Sequence, residues 1–317
     1  MGIAARAMRQ LSGVADSALP RGTADERPDV LDAPAGDYLD VATRFEPATR
    51  ILWRTLRVGA PSCLGLDLIA ELRDLQARLA HGVAEAGVPA APALRGLVTG
   101  SDLPGVWNLG LDLRLVGSFL QAEDAAGLRR YLHAAVDALY PSTVGLNLPV
   151  LTVALVTGDA LGGGFEAALA HDVIVVEAGT RLGICDARLG LPPGIAAFPL
   201  LARRIGRTRA RRILAEGRVL AGEALQALGA VDLIAHPGQG ERVVRELIAA
   251  ETRSFDRRRR LADSRRRAWP LPYDELLERA EHWLEAALRL DGADRIRLQH
   301  LAALQARRAH RPRRGLR

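Results

Sequence analysis

Residues 150–194 read VLTVALVTGDALGGGFEAALAHDVIVVEAGTRLGICDARLGLPPG. The segment begins with a β-branched, apolar run that predicts a buried strand over 150–157. Three consecutive glycines, 162–164, follow where a helix is expected to start, and Glu166 places a carboxylate in that helix start. Asp186 lies further along in a second glycine-bounded turn. Strand, glycine turn, helix and two acids in this order indicate an α/β active site.

The glycine run predicts a site for an oxyanion rather than for a nucleotide phosphate. GDALGGG has neither the GxGxxG spacing of a dinucleotide-binding turn nor the Lys-Ser/Thr ending of a P-loop. Glycines at a strand-to-helix junction expose backbone N–H groups and let a ligand approach them closely. Glu166 follows Gly163 by one helical turn, so its carboxylate can move a proton at a carbon beside a polarised carbonyl. The alternative is that Glu166 only stabilises the helix N-terminus through the helix dipole.

The composition favours one large domain with an appendage, or two modest domains, because 49% of the 317 residues are hydrophobic. No apolar window has the length of a membrane span, and the N-terminus lacks the apolar core of a secretory signal. We therefore expect a cytoplasmic protein. The two cysteines, Cys63 and Cys185, are too few for a disulfide framework or a four-cysteine metal site, and we expect no metal.

The net charge of +6 comes from arginine alone, since the sequence contains no lysine. The excess of arginine lies in the C-terminal part of the chain, with runs at 257–260 and 265–267. These runs have no interleaved aromatic residues and no DNA-binding motif, so we expect a solvated helix face and no nucleic-acid partner.

The rest of the chain predicts strands that alternate with helices up to residue 235, a pattern typical of a layered α/β domain. Residues 1–44 have little periodicity and predict a flexible leader. Strands are expected over 51–58, 94–100 and 231–235, and helices from 62 to 86 and over 123–140, 193–206, 207–217 and 223–228. From Gly240 onward the pattern is helical, and two amphipathic helices near the C-terminus must pack on the core, on each other or on another subunit.

GDALGGGFEAALAHD (158–172), followed by the acidic turn CDARLGLPPG (185–194), resembles the crotonase (enoyl-CoA hydratase/isomerase) superfamily. GVWNLGLDL (105–113) resembles the first oxyanion-hole segment of that superfamily. The resemblance implies a crotonase-like ββα spiral core at 45–255 and a C-terminal helical oligomerisation region at 256–309, before a basic tail at 310–317. It implies a homo-oligomer, either a trimer or a hexamer. It also implies an oxyanion hole from the N–H groups of Leu111 and Gly163, catalytic acids at Glu166 and Asp186, and substrate-binding glycines at Gly110, Gly162 and Gly194.

A closer resemblance is to the diffusible-signal-factor synthase branch. It rests on the segments at 102–113 and 158–169 and on a helical end, PLPYDELLERAEHWLEAALRL (270–290) with LQHLAALQARR (298–308). That branch dehydrates 3-hydroxyacyl thioesters of acyl carrier protein to cis-2-enoyl thioesters and can hydrolyse the thioester to release a fatty acid signal. It usually carries glutamate where this chain has Asp186. The missing methylene retracts the carboxylate, and a misplacement near 1 Å can cost about 100-fold in rate.

Three functions follow as hypotheses from these residues and resemblances. The first is an acyl-thioester dehydratase or hydratase, with possible thioesterase activity, that makes a 2-enoyl fatty acid signal. The second is an enoyl-CoA hydratase/isomerase of catabolism or natural-product synthesis, and the third is a catalytically weak protein that binds acyl thioesters or serves in assembly. No separate cofactor is expected, because CoA or phosphopantetheine arrives with the substrate. Acyl carrier protein and acyl-CoA stay open as partners, since a basic C-terminal part suits both.

Overall fold

The computed structural model describes residues 38–85, 94–249 and 252–308. Most of the expected leader and all of the expected basic tail lie outside these residues. The end of the leader segment belongs to the fold, because the first strand already begins at Val41.

The described residues form two β-sheets. In chain order the strands are β1 (Val41–Glu46), β2 (Ile51–Leu56), β3 (Gly96–Ser101), β4 (Val106–Asn108), β5 (Leu151–Val156), β6 (Asp159–Leu161), β7 (Val173–Glu177), β8 (Arg181–Gly183), β9 (Val219–Ala221) and β10 (Leu233–Ala235). The first sheet has the order β1-β2-β3-β5-β7-β10 and is parallel except for β1. The second has the order β4-β6-β8-β9, with only β9 antiparallel. All of β5 is buried, as its unbroken apolar run predicts for a central parallel strand.

Helices cover both sheets. They are α1 (Leu66–Glu85), α2 (Leu113–Gln121), α3 (Ala125–Thr143), α4 (Gly163–Leu169), α5 (Ala197–Ile205), α6 (Arg207–Ala215), α7 (Gly222–Ala227), α8 (Gly240–Ala249), α9 (Thr252–Ala268), α10 (Tyr273–Leu288) and α11 (Gly292–Arg308). Asp112 begins α2 as an N-cap, because its carboxylate accepts the N–H groups of Arg114 and Leu115.

The connections make the molecule a ββα spiral, which confirms the predicted α/β fold class. Strand β3 leads into β4, β5 into β6 and β7 into β8, so the chain passes three times from the first sheet to the second. A helix follows each passage. Strands β4, β6, β8 and β9 have three residues each and were not predicted from the sequence. This length is too short for a period-two pattern to emerge.

The C-terminal helices pack on the core of their own chain. The helix α10 lies against α3, and α11 lies against α2. Trp283 of α10 and Leu298 of α11 are almost completely buried in the same apolar cluster as the main domain. Packing on the core was one of the three arrangements expected for these apolar faces. Among the described residues, no helix combines the length and the apolar character that crossing a bilayer requires.

A buried carboxylate ties α9 to the first sheet. Asp172, only 6% exposed, accepts hydrogen bonds from the N–H and the hydroxyl of Thr152 on β5, at 3.0 and 2.9 Å. Both of its oxygens also accept from Nη1 of Arg266 on α9, each at 3.0 Å. A buried charge is stable only when it is paired and hydrogen-bonded, and Asp172 meets both conditions.

Replacing Asp172 with asparagine should therefore weaken the fold. Asp172→Asn keeps the shape but removes the buried negative charge, which leaves Asp263 as the ion-pair partner of Arg266, so we expect a loss of about 3 kcal/mol in the free energy of unfolding. Urea denaturation measures this loss. Glu246→Gln, at the exposed pair between Arg242 and Glu246, is the control and should change stability by less than about 0.5 kcal/mol. Equal effects of the two substitutions would contradict the anchoring role of Asp172.

Candidate active site

Two glycine turns touch each other at the carboxyl ends of β4 and β6. Gly110 has a φ of +81°, and a Cβ atom on it would lie 2.5 Å from the backbone nitrogen of Gly163. Any side chain at Gly110 would therefore push the two turns apart. Asn108 fixes the first turn, because its Oδ1 accepts the N–H of Gly110 at 2.8 Å.

The contact brings together the two N–H groups that the sequence assigns to an oxyanion hole. A Cβ atom on Gly163 would lie 3.7 Å from the nitrogen of Leu111. Within the described part of the chain, neither the Leu111 N–H nor the Gly163 N–H has a hydrogen-bond acceptor. Gly162 precedes them with a φ of +54° and begins α4 as its N-cap residue. Unused donors at a shared position can stabilise negative charge on a carbonyl oxygen.

A glutamine from the last helix holds the first of these turns. Gln305 of α11 is 7% exposed and donates from Nε2 to the carbonyls of Leu109 and Leu111, at 3.1 and 2.8 Å. Its Oε1 accepts the N–H of Leu113 at 3.1 Å. Sequence reasoning missed Gln305. The available signal was its position seven residues after Leu298, on the face of α11 that the structure buries.

Glu166 projects from α4 toward the start of α5. Its carboxylate accepts the N–H groups of Ile195 and Ala196, at 3.2 and 2.8 Å, and the residue is 4% exposed. These N–H groups precede the first turn of α5, which begins at Ala197 rather than at 193 because Gly194 has a non-helical φ of +59°. Glu166 thus contacts the N-terminus of α5 through hydrogen bonds, in addition to its place in the first turn of α4.

Burial raises the pKa of Glu166 to about 8. The neighbouring charge of Asp186 raises it as well, whereas the two backbone hydrogen bonds act in the opposite direction. At neutral pH the carboxyl group is therefore mostly protonated. A carboxylic acid with a pKa near neutrality is able both to donate and to accept a proton.

Gly194 makes room for this carboxyl group. It has a φ of +59°, and a Cβ atom on it would lie 1.6 Å from Oε1 of Glu166. No side chain fits at that distance, so the position requires glycine for both its backbone conformation and its space. The resemblance assigns Gly194 to substrate binding, and the geometry gives it a direct contact with the acid.

Asp186 lies in a 3₁₀ turn, Asp186–Leu189, next to the same space. Nε1 of Trp283 on α10 donates to its Oδ1 at 3.3 Å. Burial raises the pKa of Asp186 to about 6, although the hydrogen bond from Trp283 lowers it. Trp283 lies on the apolar face that the sequence predicts for this amphipathic helix. Its ring is buried in the core, but its N–H also orients the second acid.

A cavity of about 440 Å³ joins these groups. Glu166, Asp186, Leu111, Gly162, Gly163 and Gly194 all line it. Its remaining wall is largely apolar and comes from Leu64, which precedes α1, and from α1, α3 and α11, through Leu68, Leu72, Val136, Leu139, Leu301 and Leu304. Of the seven predicted site residues, only Gly110 is not a lining residue, because it supports the cavity wall from behind through Gly163.

Comparison with known proteins assigns the family. The enoyl-CoA hydratase/isomerase family model matches residues 88–260, more than half of the chain. The chain belongs to the enoyl-CoA hydratase/isomerase family. Human mitochondrial methylglutaconyl-CoA hydratase is 30% identical to this family member over 146 residues, which are 46% of this chain and 41% of that protein. The match therefore spans less than half the length of this curated relative.

Solved structures of the family share the fold. An enoyl-CoA hydratase from Bacillus halodurans has a TM-score of 0.64 at 22% identity, over 82% of this chain and 99% of that one. The human mitochondrial delta3-delta2-enoyl-CoA isomerase has a TM-score of 0.64 at 18% identity, over 84% and 99% of the two chains. At these identities the likeness describes the fold alone.

Alanine at Gly194 should displace the catalytic candidate, whereas alanine at Gly206 should not. Both glycines have positive φ and flank α5, but a Cβ atom at Gly206 would meet nothing within 4 Å. Gly206→Ala should cost about 1–3 kcal/mol of stability from backbone strain alone, because φ and ψ of Gly206 lie in a region that is essentially restricted to glycine. Gly194→Ala should cost more stability than Gly206→Ala. It should also move the Glu166 carboxylate by more than about 1 Å, because two non-bonded atoms cannot lie as close together as the new Cβ and Oε1 would.

Crystal structures of the two variants and urea denaturation measure these effects. An unmoved Glu166 carboxylate in Gly194→Ala would contradict the tight contact described here.

Proposed function

We propose that this protein hydrates 2-enoyl thioesters, with acyl-CoA as the substrate. The observation that carries the proposal is the shared cavity, which is lined by two acids with raised pKa and by two residues with unused N–H donors. The thioester carbonyl oxygen accepts the N–H groups of Leu111 and Gly163. These donors stabilise the enolate that forms during the reaction, an effect worth about 3 kcal/mol per donor in comparable sites.

The two acids divide the proton transfers between them. Asp186 as carboxylate takes a proton from water, and the water oxygen forms a bond to C3. The electron pair of the double bond moves through C2 to the carbonyl oxygen. Glu166 as carboxylic acid then gives its proton to C2, so the 3-hydroxyacyl thioester forms with all atoms accounted for. Dehydration follows the same steps in reverse.

A second candidate function is dehydration of 3-hydroxyacyl thioesters of acyl carrier protein, with release of a 2-enoyl fatty acid. The observation in its favour is that the C-terminal helices, whose sequence resembles the diffusible-signal-factor synthase branch, contribute Trp283 and Gln305 to the site. Assembly into a trimer or hexamer stays a prediction. The exposed Leu261, Trp269 and Ile296 on or beside the C-terminal helices offer apolar contacts for it.

Assays with defined thioesters test these proposals. Purified protein is incubated with 2-enoyl-CoA and with 3-hydroxyacyl thioesters of both carriers, and mass spectrometry identifies the products. We expect hydration of the enoyl-CoA and a loss of at least about 100-fold in kcat for Glu166→Gln, which cannot donate the proton. Glu285→Gln, on the exposed face of α10, is the control with unchanged turnover.

The outcomes distinguish the hypotheses. Turnover only with carrier-protein thioesters, together with free acid as product, would favour the second candidate. Binding of enoyl-CoA without any turnover would indicate a binding protein instead of an enzyme. Full activity of Glu166→Gln would contradict the assignment of the acid.

The pH dependence of hydration should be bell-shaped. Below about pH 6 Asp186 becomes protonated and cannot accept a proton from water. Above about pH 8 Glu166 loses the proton that C2 requires. We therefore expect kcat/KM to be highest between about pH 6 and pH 8. Because the two acids interact, the two limits are apparent pKa values of the pair rather than of either acid alone. Initial rates measured from pH 5 to 9 check this expectation.

Trp283→Phe sharpens the pH test. The Trp283 N–H stabilises the charged form of Asp186, so its removal should move the acid limb to higher pH. The alkaline limb should move less, because Glu166 makes no hydrogen bond to Trp283. If the acid limb of the pH profile does not move, the group that titrates in that limb is not Asp186.

A further inference from the structure

The cavity extends beyond the two acids to a buried polar cluster formed by Arg54, Thr99 and His171. Nη2 of Arg54 donates to the Thr99 hydroxyl at 2.8 Å, and that hydroxyl also contacts Nε2 of His171 at 2.8 Å. All three residues line the cavity, and Arg54 is only 4% exposed. The proposed reaction at the thioester uses none of these three side chains.

The sheet directs Arg54 into the cavity. On β2, Arg54 lies on the same face as Leu52 and Leu56, because every second residue of a strand points to the same side. The two leucines pack in the apolar cluster on the α1 side of the sheet. Its register partner on the parallel strand β3 is Thr99. A charged residue therefore occupies an inward position between two leucines of the core.

Arg54 has no anionic partner within the described parts of the chain. Its Nε and Nη1 atoms are buried and make no hydrogen bond there. Glu166 and Asp186 are the carboxylates among the residues lining the cavity, and the side-chain hydrogen bond of Arg54 goes to Thr99 rather than to either acid. Burial lowers the pKa of Arg54 to about 10, so the guanidinium is still charged at neutral pH. An unpaired buried cation is unfavourable and attracts an anion.

His171 orients the Thr99 hydroxyl and carries no charge at neutral pH. Its Nδ1 lies 2.7 Å from the carbonyl oxygen of Ala167, which only accepts, so Nδ1 carries the proton. Nε2 then accepts from the Thr99 hydroxyl, whose oxygen in turn accepts from Arg54. Burial and the charge of Arg54 lower the pKa of His171 to about 3, so the ring is neutral. This relay uses only Nη2 of Arg54 and leaves the charge of the guanidinium uncompensated among the described residues.

The cation and the two acids lie at different parts of the cavity. The charge of Arg54 acts on His171, whereas Glu166 responds to its burial, its backbone donors and Asp186. Glu166 and His171 are five residues apart along α4 and its C-terminal end, a distance of about 7.5 Å at the helical rise per residue. An acyl group held at the oxyanion hole therefore needs a chain of several carbons to bring its far end to this cluster.

We propose that the acyl group of the preferred substrate ends in a carboxylate, which forms an ion pair with the guanidinium group of Arg54. This inference rests on the proposed function, because it takes the thioester to lie at Leu111 and Gly163. A methyl terminus would leave the guanidinium buried and unpaired, whereas a carboxylate supplies the missing counter-ion and hydrogen bonds. The substrate class is therefore the CoA thioester of a dicarboxylic 2-enoic acid.

Binding of two unreactive thioesters tests the inference. Adipyl-CoA and hexanoyl-CoA both have six-carbon acyl groups and differ only in the terminal carboxylate. By isothermal titration we expect wild-type protein to bind adipyl-CoA at least about tenfold more tightly, as a hydrogen bond to a charged group implies. Arg54→Met should abolish or reverse this preference. Equal binding of the two ligands by wild type, or an unchanged preference in Arg54→Met, would overturn the inference.

Stability provides a second readout. Arg54→Met removes an unpaired buried charge, so its melting temperature without ligand should equal or exceed that of wild type. A large loss of stability would show that Arg54 has a structural partner and would count against the inference. Thr99→Val, which removes the hydroxyl that orients Arg54, should reduce the preference for adipyl-CoA without abolishing it.

Turnover separates failure of the inference from failure of the proposed function. If 2-hexenoyl-CoA is hydrated as efficiently as 2-hexenedioyl-CoA, the proposed function stands and the inference is wrong. If adipyl-CoA is preferred through Arg54 but neither enoyl thioester is hydrated, the ligand class stands and the hydratase proposal is wrong. If no thioester binds, both are wrong.

Discussion

The position and the pKa of the buried Glu166 carboxyl group depend on two hydrogen bonds from the N–H groups of Ile195 and Ala196. The shape of the site around the carboxyl group depends on the same contact. Burial alone would keep the group protonated far above neutral pH, and the two donors offset part of that effect. The contact also requires glycine at position 194, and the positive φ of that glycine keeps α5 from beginning before Ala197. One acid thus links the pKa, the helix boundary and the shape of the cavity.

Long-range contacts complete the site from the end of the chain. Gln305 braces the turn that contains Leu111, and Trp283 orients Asp186. Both residues come from helices whose sequence pattern reports only an apolar face. Consequently, α10 and α11 are part of the structure of the candidate site. A substitution in these helices can affect the chemistry through the backbone of the oxyanion turn or through the second acid.

The sequence was informative where the signal is local. The glycine run, the helix start at Glu166 and the buried strand β5 each have a pattern within ten residues, and the structure shows all three. The short strands of the second sheet lack such a pattern, because their stability comes from neighbours distant in the chain. Trp283 and Gln305 were missed for the same reason. The position of Arg54 is visible in the sequence as a charged residue between Leu52 and Leu56 on the inward face of a strand. Its relevance becomes clear only from the cavity that it lines.

The two parts of the cavity present opposite electrostatic problems. At the thioester, two acids share a low-dielectric space, which raises the pKa of Glu166 and Asp186 and favours one proton between them near neutral pH. At the polar cluster, one cation has donors without acceptors, and the neutral His171 offers no compensation. Under the proposed function, a substrate that spans both parts must satisfy both, since the apolar wall accommodates an acyl chain and the cation favours a charged end on that chain. On this proposal, substrate choice depends on the charge at the far end of the acyl group as much as on its length.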